Sequence, residues 1–296
     1  MSAQLPAPLA RVCRVLEAPR STANHRRRQV ALAAQGAAVP GRPGPAGAIS
    51  DQALVVLIRQ VIADSPFCGE GYRKVRARLR REHDIHVSGK RVLRLMRAHG
   101  LLAPQRAHRR RSKRLHEGSI VPDAPNLRWG TDGTMAWTVE DGWVWVFDLV
   151  DHYTAEAWAH VAKVGDRFAA LQPVYDAVTD RYGSLEADTA RGIEVRHDWG
   201  PQYRSAHFTG SLAWLGLTDS PAFPGEPECN GCAERWIKTL KEQCLWARPY
   251  RNVDDLRQAV AAFVKLYNEQ WLIERLGHRT PRETYQQWLA TRRPAA

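Results

Sequence analysis

Leu127-Arg128-Trp129-Gly130-Thr131-Asp132-Gly133-Thr134 reads as a short first strand with a carboxylate near its end. Two further runs of alternating and β-branched residues follow, and the spacing predicts strands over Arg128–Met135, Trp143–Asp151 and Ala155–Val161, joined as an antiparallel meander. The pattern then switches period. Gly165–Tyr182 is helical, with Phe168, Leu171, Val174 and Val178 on its inward face. Ile193–Asp198 is a fourth strand stopped by Gly200-Pro201, Ser205–Leu215 a helix and Leu217–Ser220 a fifth short strand. Residues 221–229 carry Pro221, Pro224, Gly225 and Pro227 and form a loop. A long helix begins near Asn230, and Val253–Glu269 and Pro281–Ala290 are two more. Trp143 and Trp145 alternate with Val144 and Val146, so one face of the second strand meets core and the other a helix.

Three acids stand where this order holds them still. Asp132 lies on the first strand, Asp198 closes the fourth, and Glu234 falls just inside the helix after Asn230, with 35 residues between the last two. An isolated acid at a strand end is most often a turn residue, and an acid in a first helical turn is placed there by the dipole. Together, three carboxylates from two strands and one helix can converge on a pair of Mg²⁺ ions, which prefer oxygen donors and support phosphoryl transfer. Asp148 and Asp151 are competitors on the second strand, but their side chains point to opposite faces and are expected to be structural. His197, beside Asp198, should point away from it and is not expected to ligate metal. Lys238 and Lys241 follow Glu234 by four and seven residues and share its helical face.

Three ordered blocks carry a resemblance. Arg196-His197-Asp198-Trp199-Gly200-Pro201-Gln202-Tyr203-Arg204-Ser205, then Asn230-Gly231-Cys232-Ala233-Glu234-Arg235-Trp236-Ile237-Lys238-Thr239-Leu240-Lys241, then Tyr267-Asn268 with Gly277-His278-Arg279-Thr280-Pro281 are similar to the signature blocks of DDE-class insertion-sequence transposases, specifically the second-frame (OrfB) protein of the IS three family. The resemblance spans about residues 50–289. It implies an α/β, RNase H-like integrase core, a five-stranded mixed sheet with helices, preceded by a small helix-turn-helix-like domain. It implies a polynucleotidyl transferase in which Asp132, Asp198 and Glu234 are catalytic and bind two Mg²⁺ ions, with Mn²⁺ as a substitute. The reaction is nicking of an element's end and attack of the freed 3′-OH on target DNA. A basic residue at Lys241 is implied to contact terminal phosphates, and Lys238 is assigned to DNA with it. Trp199, Cys229 and Trp271–Arg275 depart from the family pattern without touching the three acids.

Charge is divided unevenly. Residues 1–120 hold 24 Lys/Arg against 7 Asp/Glu, while residues 121–296 hold 19 against 24, inside an overall net charge of +12. That division predicts a polyanion-binding front half joined to a metal-carboxylate enzyme. Within the front half, Asp51 starts a helix to about Ala63 with Leu54, Leu57, Ile58, Val61 and Ile62 on one face; Tyr72, Val75 and Leu79 make the next stripe; Ser88 caps a third helix carrying Val92, Leu93 and Met96, ended by Gly100. Arginines and lysines on the outer faces suit a helix-turn-helix-like DNA binder. Arg73, Lys74, Lys90, Arg91 and Arg94 are the expected DNA-facing residues, together with Arg109, Arg110 and Arg111 in a run too charged to pack. Residues 50–118 are therefore expected to bind DNA with little sequence preference and steep salt dependence.

The expected organisation is a basic N-terminal helical segment (1–35, with a helix over 9–16 followed by Arg26-Arg27-Arg28), a Pro/Gly linker (36–48), the helix-turn-helix-like domain (49–103), a basic arm (104–122), the catalytic core (123–247) and C-terminal helices of that core (248–296). Five cysteines, an odd number, with no secretory leader, favour a reducing cytoplasm and no disulfide framework; Cys229-Asn230-Gly231-Cys232 has no second Cys/His pair at zinc-site spacing. No apolar run reaches the length of a membrane span, so no membrane partner is expected. The resemblance implies a bacterial, nucleoid-associated location, double-stranded DNA (element ends and target) as partner, and a homo-oligomer on DNA. It also implies an upstream-frame protein or frameshift fusion, because the chain shows no full N-terminal helix-turn-helix and no leucine heptads. The alternative is a catalytically silent DNA-binding regulator derived from a transposase.

Overall fold

The computed structural model describes residues 9–17, 19–34, 49–104, 122–222 and 230–292. The linker 36–48, the arginine run with Arg109, Arg110 and Arg111, and most of the proline-rich loop lie outside them. The chain divides into two compact units, residues 1–50 and 51–296. The first holds α1 (Leu9–Val15) and α2 (Arg20–Ala34). Arg26, Arg27 and Arg28 are thus part of a second helix, where a basic segment after a single helix was expected.

The second unit begins with three short helices, α3 (Asp51–Asp64), α4 (Tyr72–His83) and α5 (Gly89–Ala98). Their apolar stripes meet: Leu54, Ile58, Val61, Val75, Leu79, Val92, Leu95 and Met96 are buried. Ser88 caps α5 by accepting from the Arg91 amide at 3.2 Å, and Gly100 takes the left-handed turn (φ 65°) that ends the segment. The outer faces of α4 and α5 are less free than their charge suggests. Asp51 pairs with both Arg91 (2.8 Å) and Arg94 (2.7 Å), which ties α5 to the start of α3. Arg78 is buried and holds Glu70 at 2.6 Å and Glu82 at 3.0 Å.

The face of α4 that carries Lys74 packs on the C-terminal segment. Lys74 Nζ lies 2.9 Å from the centre of the Trp271 ring, and Phe67 meets that ring edge-on. Arg73 pairs with Glu274 at 3.1 Å, and Arg81 with Glu283 at 2.5 Å. Lys74 is therefore an internal contact, not a DNA-facing residue. A stripe of basic residues on a helix looks the same whether it meets phosphate or a complementary face of the same chain. Burial pushes Lys74 down to about 7, against the pull of Glu70. A lysine whose folded pKa lies below its unfolded value binds fewer protons folded than unfolded between the two, so stability rises with pH across that interval. The thermal stability of the wild type should climb relative to Lys74→Met from about pH 7 toward pH 10; parallel stability curves for the two proteins would refute the buried, depressed lysine.

The core sheet has the order β3-β2-β1-β4-β5, with β1 (Arg128–Thr138), β2 (Gly142–Asp151), β3 (Ala157–Ala162), β4 (Glu194–His197) and β5 (Thr218–Pro221). β1, β2 and β3 form the expected antiparallel meander, and β4 and β5 add in parallel. β1 runs three residues past the expected Met135, so Asp132 lies within the strand and not at its end. One face carries Trp129, Phe147 and Leu149 against α6 (Arg167–Tyr182) and α7 (Ala206–Trp214). The other carries Ala136, Val144, Val146 and Val161 against α8 (Gly231–Leu240) and α9 (Val253–Gln270). Two inward assignments fail. Phe168 is 54% exposed in the first turn of α6, and Trp143 is 59% exposed because it pairs with Trp137 at the hairpin tip, beyond the reach of α6.

The C-terminal block is architectural. Tyr267 is buried against Trp236 of α8, and the Asn268 amide bonds both the N–H (2.9 Å) and the carbonyl (2.8 Å) of Ala157. Gly277 takes a left-handed turn (φ 69°), and Thr280 and Glu283 form a reciprocal capping box, with Pro281 as first residue of α10 (Pro281–Arg292).

Candidate active site

The register of β1 on β4 places two of the three acids. Gly130 is the parallel partner of Arg196, so Asp132 and Asp198 each follow two residues beyond the last paired position of neighbouring strands, Asp198 just past the end of β4. On the other side of β1, Asp148 is the antiparallel partner of Asp132. Asp132 is thus flanked by Asp148 in the sheet, while the Asp198 charge reaches it from beyond the end of β4.

The third acid comes from α8, and a buried amide ties that helix down. Asn230 precedes α8 but makes no side-chain cap; its Nδ2 instead donates to the Thr131 carbonyl at 3.0 Å. The helix can approach because residue 130 is glycine. A methyl group there would sit 2.6 Å from His152 Nε2 and closer still to Asn230 Oδ1. His152 is pushed down to about 4 by burial and then by Arg128, Arg196 and Arg275, so it stays neutral at this packed contact. Gly130→Ala should cost about 1–3 kcal/mol by overpacking and shift α8. A thermal midpoint unchanged from wild type would show that the contact yields freely.

Asp132, Glu234, Lys238, Lys241, Glu242 and Trp246 line one cleft, together with Ile237. Asp198 is close enough for its charge to act on Asp132. Burial pushes the Asp132 carboxyl up to about 6, with Asp198 and Glu234 adding to the rise and Lys241 opposing it. Burial also raises Glu234. Asp148, fully enclosed behind Asp132, is raised well above the carboxylate range by burial and by the Asp132 charge. Asp151 is structural as expected: its two oxygens take the N–H groups of Asn126, Tyr153 and Thr154 and the Thr154 hydroxyl. Among the described residues, no three acidic, histidine or cysteine side chains stand close enough together to hold a metal ion as they are placed. Asp132 Oδ1 takes the Gly133 N–H at 2.7 Å and Asp198 Oδ1 the Gly200 N–H at 2.9 Å, which leaves the second oxygen of each available. Asp132, Asp198 and Glu234 are hard oxygen donors of the kind a divalent cation would prefer, and such an ion would relieve the charge that Asp198 and Glu234 add to the burial of Asp132.

Around this centre the middle sequence block is support. His197 is buried with Nε2 2.6 Å from Asp219 Oδ1 and Nδ1 2.5 Å from the Asp198 carbonyl, turned away from the cleft. Tyr203 stacks on it, and Ser205 caps α7 through the Phe208 amide at 3.2 Å. Of the expected DNA-facing residues, Lys238 and Lys241 line the cleft, and Lys238 also lies 4.0 Å from Glu242. Lys90 is exposed with no ion pair among the described residues. Arg73, Arg91 and Arg94 are engaged by Glu274 and Asp51, and Lys74 is enclosed. Sequence reasoning missed Asn230 and Trp246. Asn230 had a signal, since an asparagine before a helix can cap it or reach a neighbouring strand; Trp246 had none.

A parallel-edged meander with acids at the junction of β1 and β4 and on the helix after β5 defines an integrase-type core behind a helical domain. Residues 50–111 match the family described as HTH-like domain, and residues 215–281 match the integrase core domain family. The chain is 30% identical over 244 residues to the transposase InsD for insertion element IS2A/D/F/H/I/K of Escherichia coli, covering 80% of this chain and 79% of that one. The same identity and coverage of this chain hold for InsD of insertion element IS2-9 of strain K12, 78% of which is covered. Among solved structures, the catalytic core domain of BIV integrase matches 56% of this chain and 97% of its own length at 18% identity and a TM-score of 0.42. The chain belongs to the insertion-sequence transposase family.

Proposed function

We propose that this chain is the catalytic transposase subunit of an insertion sequence, and that Asp132, Asp198 and Glu234 are its active-site carboxylates. The observation that supports this most is the placement of Asp132 and Glu234 in one cleft with two lysines, with Asp198 near enough for its charge to act on Asp132. Mg²⁺ held by these three acids, with Mn²⁺ as a substitute, would supply Lewis-acid stabilisation of the attacking and leaving oxygens in phosphoryl transfer. The chain's own part is positional. β1 and β4 fix the two aspartates, Asn230 fixes the start of α8, and α8 aims Glu234 and both lysines into the same cleft. Lys238 and Lys241 hold the DNA backbone beside the scissile phosphate, while Lys90 and the basic arm bind duplex farther away. Double-stranded DNA is the partner, as element end and as target, with two or more copies acting together and an upstream-frame protein or fusion completing recognition of the ends.

The test is strand transfer with the full chain, alone and as the upstream-frame fusion, on paired element ends. Joining should require Mg²⁺ or Mn²⁺, stop on chelation, and weaken steeply with salt because phosphate contacts release counterions. DNA binding without joining, for either protein with either metal, would favour the silent regulator.

A further inference from the structure

The helix that carries Glu234 does not end as an ordinary α-helix. From Lys241 to Leu245 it widens into a π turn, closed by the Trp246 amide donating to the Lys241 carbonyl at 2.9 Å. At about 100° per residue, positions four, seven and eleven after Glu234 would all lie within about 40° of it on an unbroken helix. The first two are Lys238 and Lys241. The eleventh would be Leu245, but the π turn takes in one additional residue. Leu245 is turned into the core, 7% exposed, and Trp246 takes its place on the stripe. Trp246 is 71% exposed and lines the same cleft as Asp132 and Glu234. Among the described residues, it has no aromatic or cation–π partner within the chain.

The indole held out of the core at the end of the row Glu-Lys-Lys offers a flat apolar face next to two cations. The lysines would draw a phosphodiester chain along the stripe, and successive phosphates bring bases with them. Cations interleaved with an exposed ring are the makeup of surfaces that bind unpaired nucleotides, because every base has a face to stack. Building on the active-site reading above, we propose that Trp246 is a stacking platform for an unpaired base of the DNA end, next to the phosphate that is cut or joined. It is a positioning residue: it holds the frayed end so that the strand lies in register with the carboxylates.

The probe is a duplex with a short single-stranded tail carrying 2-aminopurine, whose fluorescence falls on stacking. The full wild-type chain should quench it, Trp246→Ala should not, and Trp246→Phe should retain most of the quenching. On element ends, Trp246→Ala should lower strand joining roughly tenfold or more, and wild type on an end with an abasic nucleotide at the stacked position should lose as much. Combining the two should bring no further loss, since both remove one interaction. Undiminished quenching by Trp246→Ala, or losses that add, would overturn the proposal. So would a change in sedimentation with quenching intact, which would assign the ring to a protein surface. Asp132→Asn should still quench while failing to join. Joining at the wild-type rate by Asp132→Asn would overturn the carboxylate reading instead and leave the quenching result to stand by itself.

Discussion

Asp132→Asn, Asp198→Asn and Glu234→Gln are each expected to lower DNA cleavage and strand transfer by at least about a thousandfold, or ~4 kcal/mol of transition-state stabilisation. Each change keeps size and shape and removes a cation-binding charge. The fold should survive. Asp132 is half enclosed and raised to about 6 by burial and by Asp198 and Glu234. Above that pH its charge is a cost of the metal-free fold, because a carboxylate raised by its surroundings destabilises the folded state as pH climbs past its unfolded value. The Asp132→Asn protein should therefore melt at or above the wild-type temperature near neutral pH without metal. Adding Mg²⁺ should raise the wild-type midpoint and leave the variant's nearly still. Near wild-type joining by any of the three would remove that residue from the site; a metal-induced shift in Asp132→Asn equal to wild type would do so for Asp132.

The second large effect lies away from the cleft. Arg181 and Glu156 form an ion pair at 2.5 Å, and neither side chain is exposed. Glu156 also meets Arg282 at 2.7 Å, and the Arg181 guanidinium is sandwiched between Tyr285 and Trp158, 3.6 and 4.8 Å from the ring centres. Three elements, β3, α6 and α10, converge on this cluster. Removing one partner leaves an uncompensated buried charge, so Arg181→Ala should cost about 3–5 kcal/mol. In a unit this large, that is a fall of roughly 10 °C in melting midpoint. Replacing both Glu156 and Arg181 with leucine should cost less than Arg181→Ala alone, because no orphaned charge remains. If the single and double replacements were equally harmful, packing on the rings and not the charge would account for the cluster's contribution.

Most of the core was legible because it is written in short-range terms. Period-two alternation gave β1, β2 and β3, glycine and proline bounded β4, and Ser88 and Ser205 marked helix starts that the structure bears out as caps. The meander order followed, and with it the neighbourhood of Asp132 and Asp198. What escaped was set by partners distant in sequence. Lys74 and Arg78 look like outward cations on an amphipathic helix, and nothing local announces Trp271 or Glu70 as their neighbours. Phe168 fits the apolar stripe of α6 yet lies in the first turn, before the helix reaches the sheet. Trp143 obeys strand alternation, but alternation does not say where the covering helix stops. Asp148 was rightly separated from Asp151 by face, although the pairing register that sets it directly behind Asp132 was not readable from the second strand alone. The π turn after Leu240 is likewise a matter of tertiary packing, since its sequence, Lys241-Glu242-Gln243-Cys244-Leu245, would suit an ordinary helix.

The contact between α4 and the C-terminal segment bears on how the molecule comes into being. Phe67, Lys74, Arg78 and Arg81 find Trp271, the Gln270 carbonyl and Glu283 about two hundred positions later. The three-helix domain is made well before the groups that cover its basic face. During synthesis that face stays uncovered until the segment from Gln270 to Glu283 has been made. A polypeptide cut short before Trp271 would lack these partners and leave the ring of Phe67 and the charges of Lys74 and Arg81 uncovered. Premature termination would then leave a basic, partly apolar face open, so the fold ties the covering of the three-helix region to the presence of the segment that carries Trp271 and Glu283.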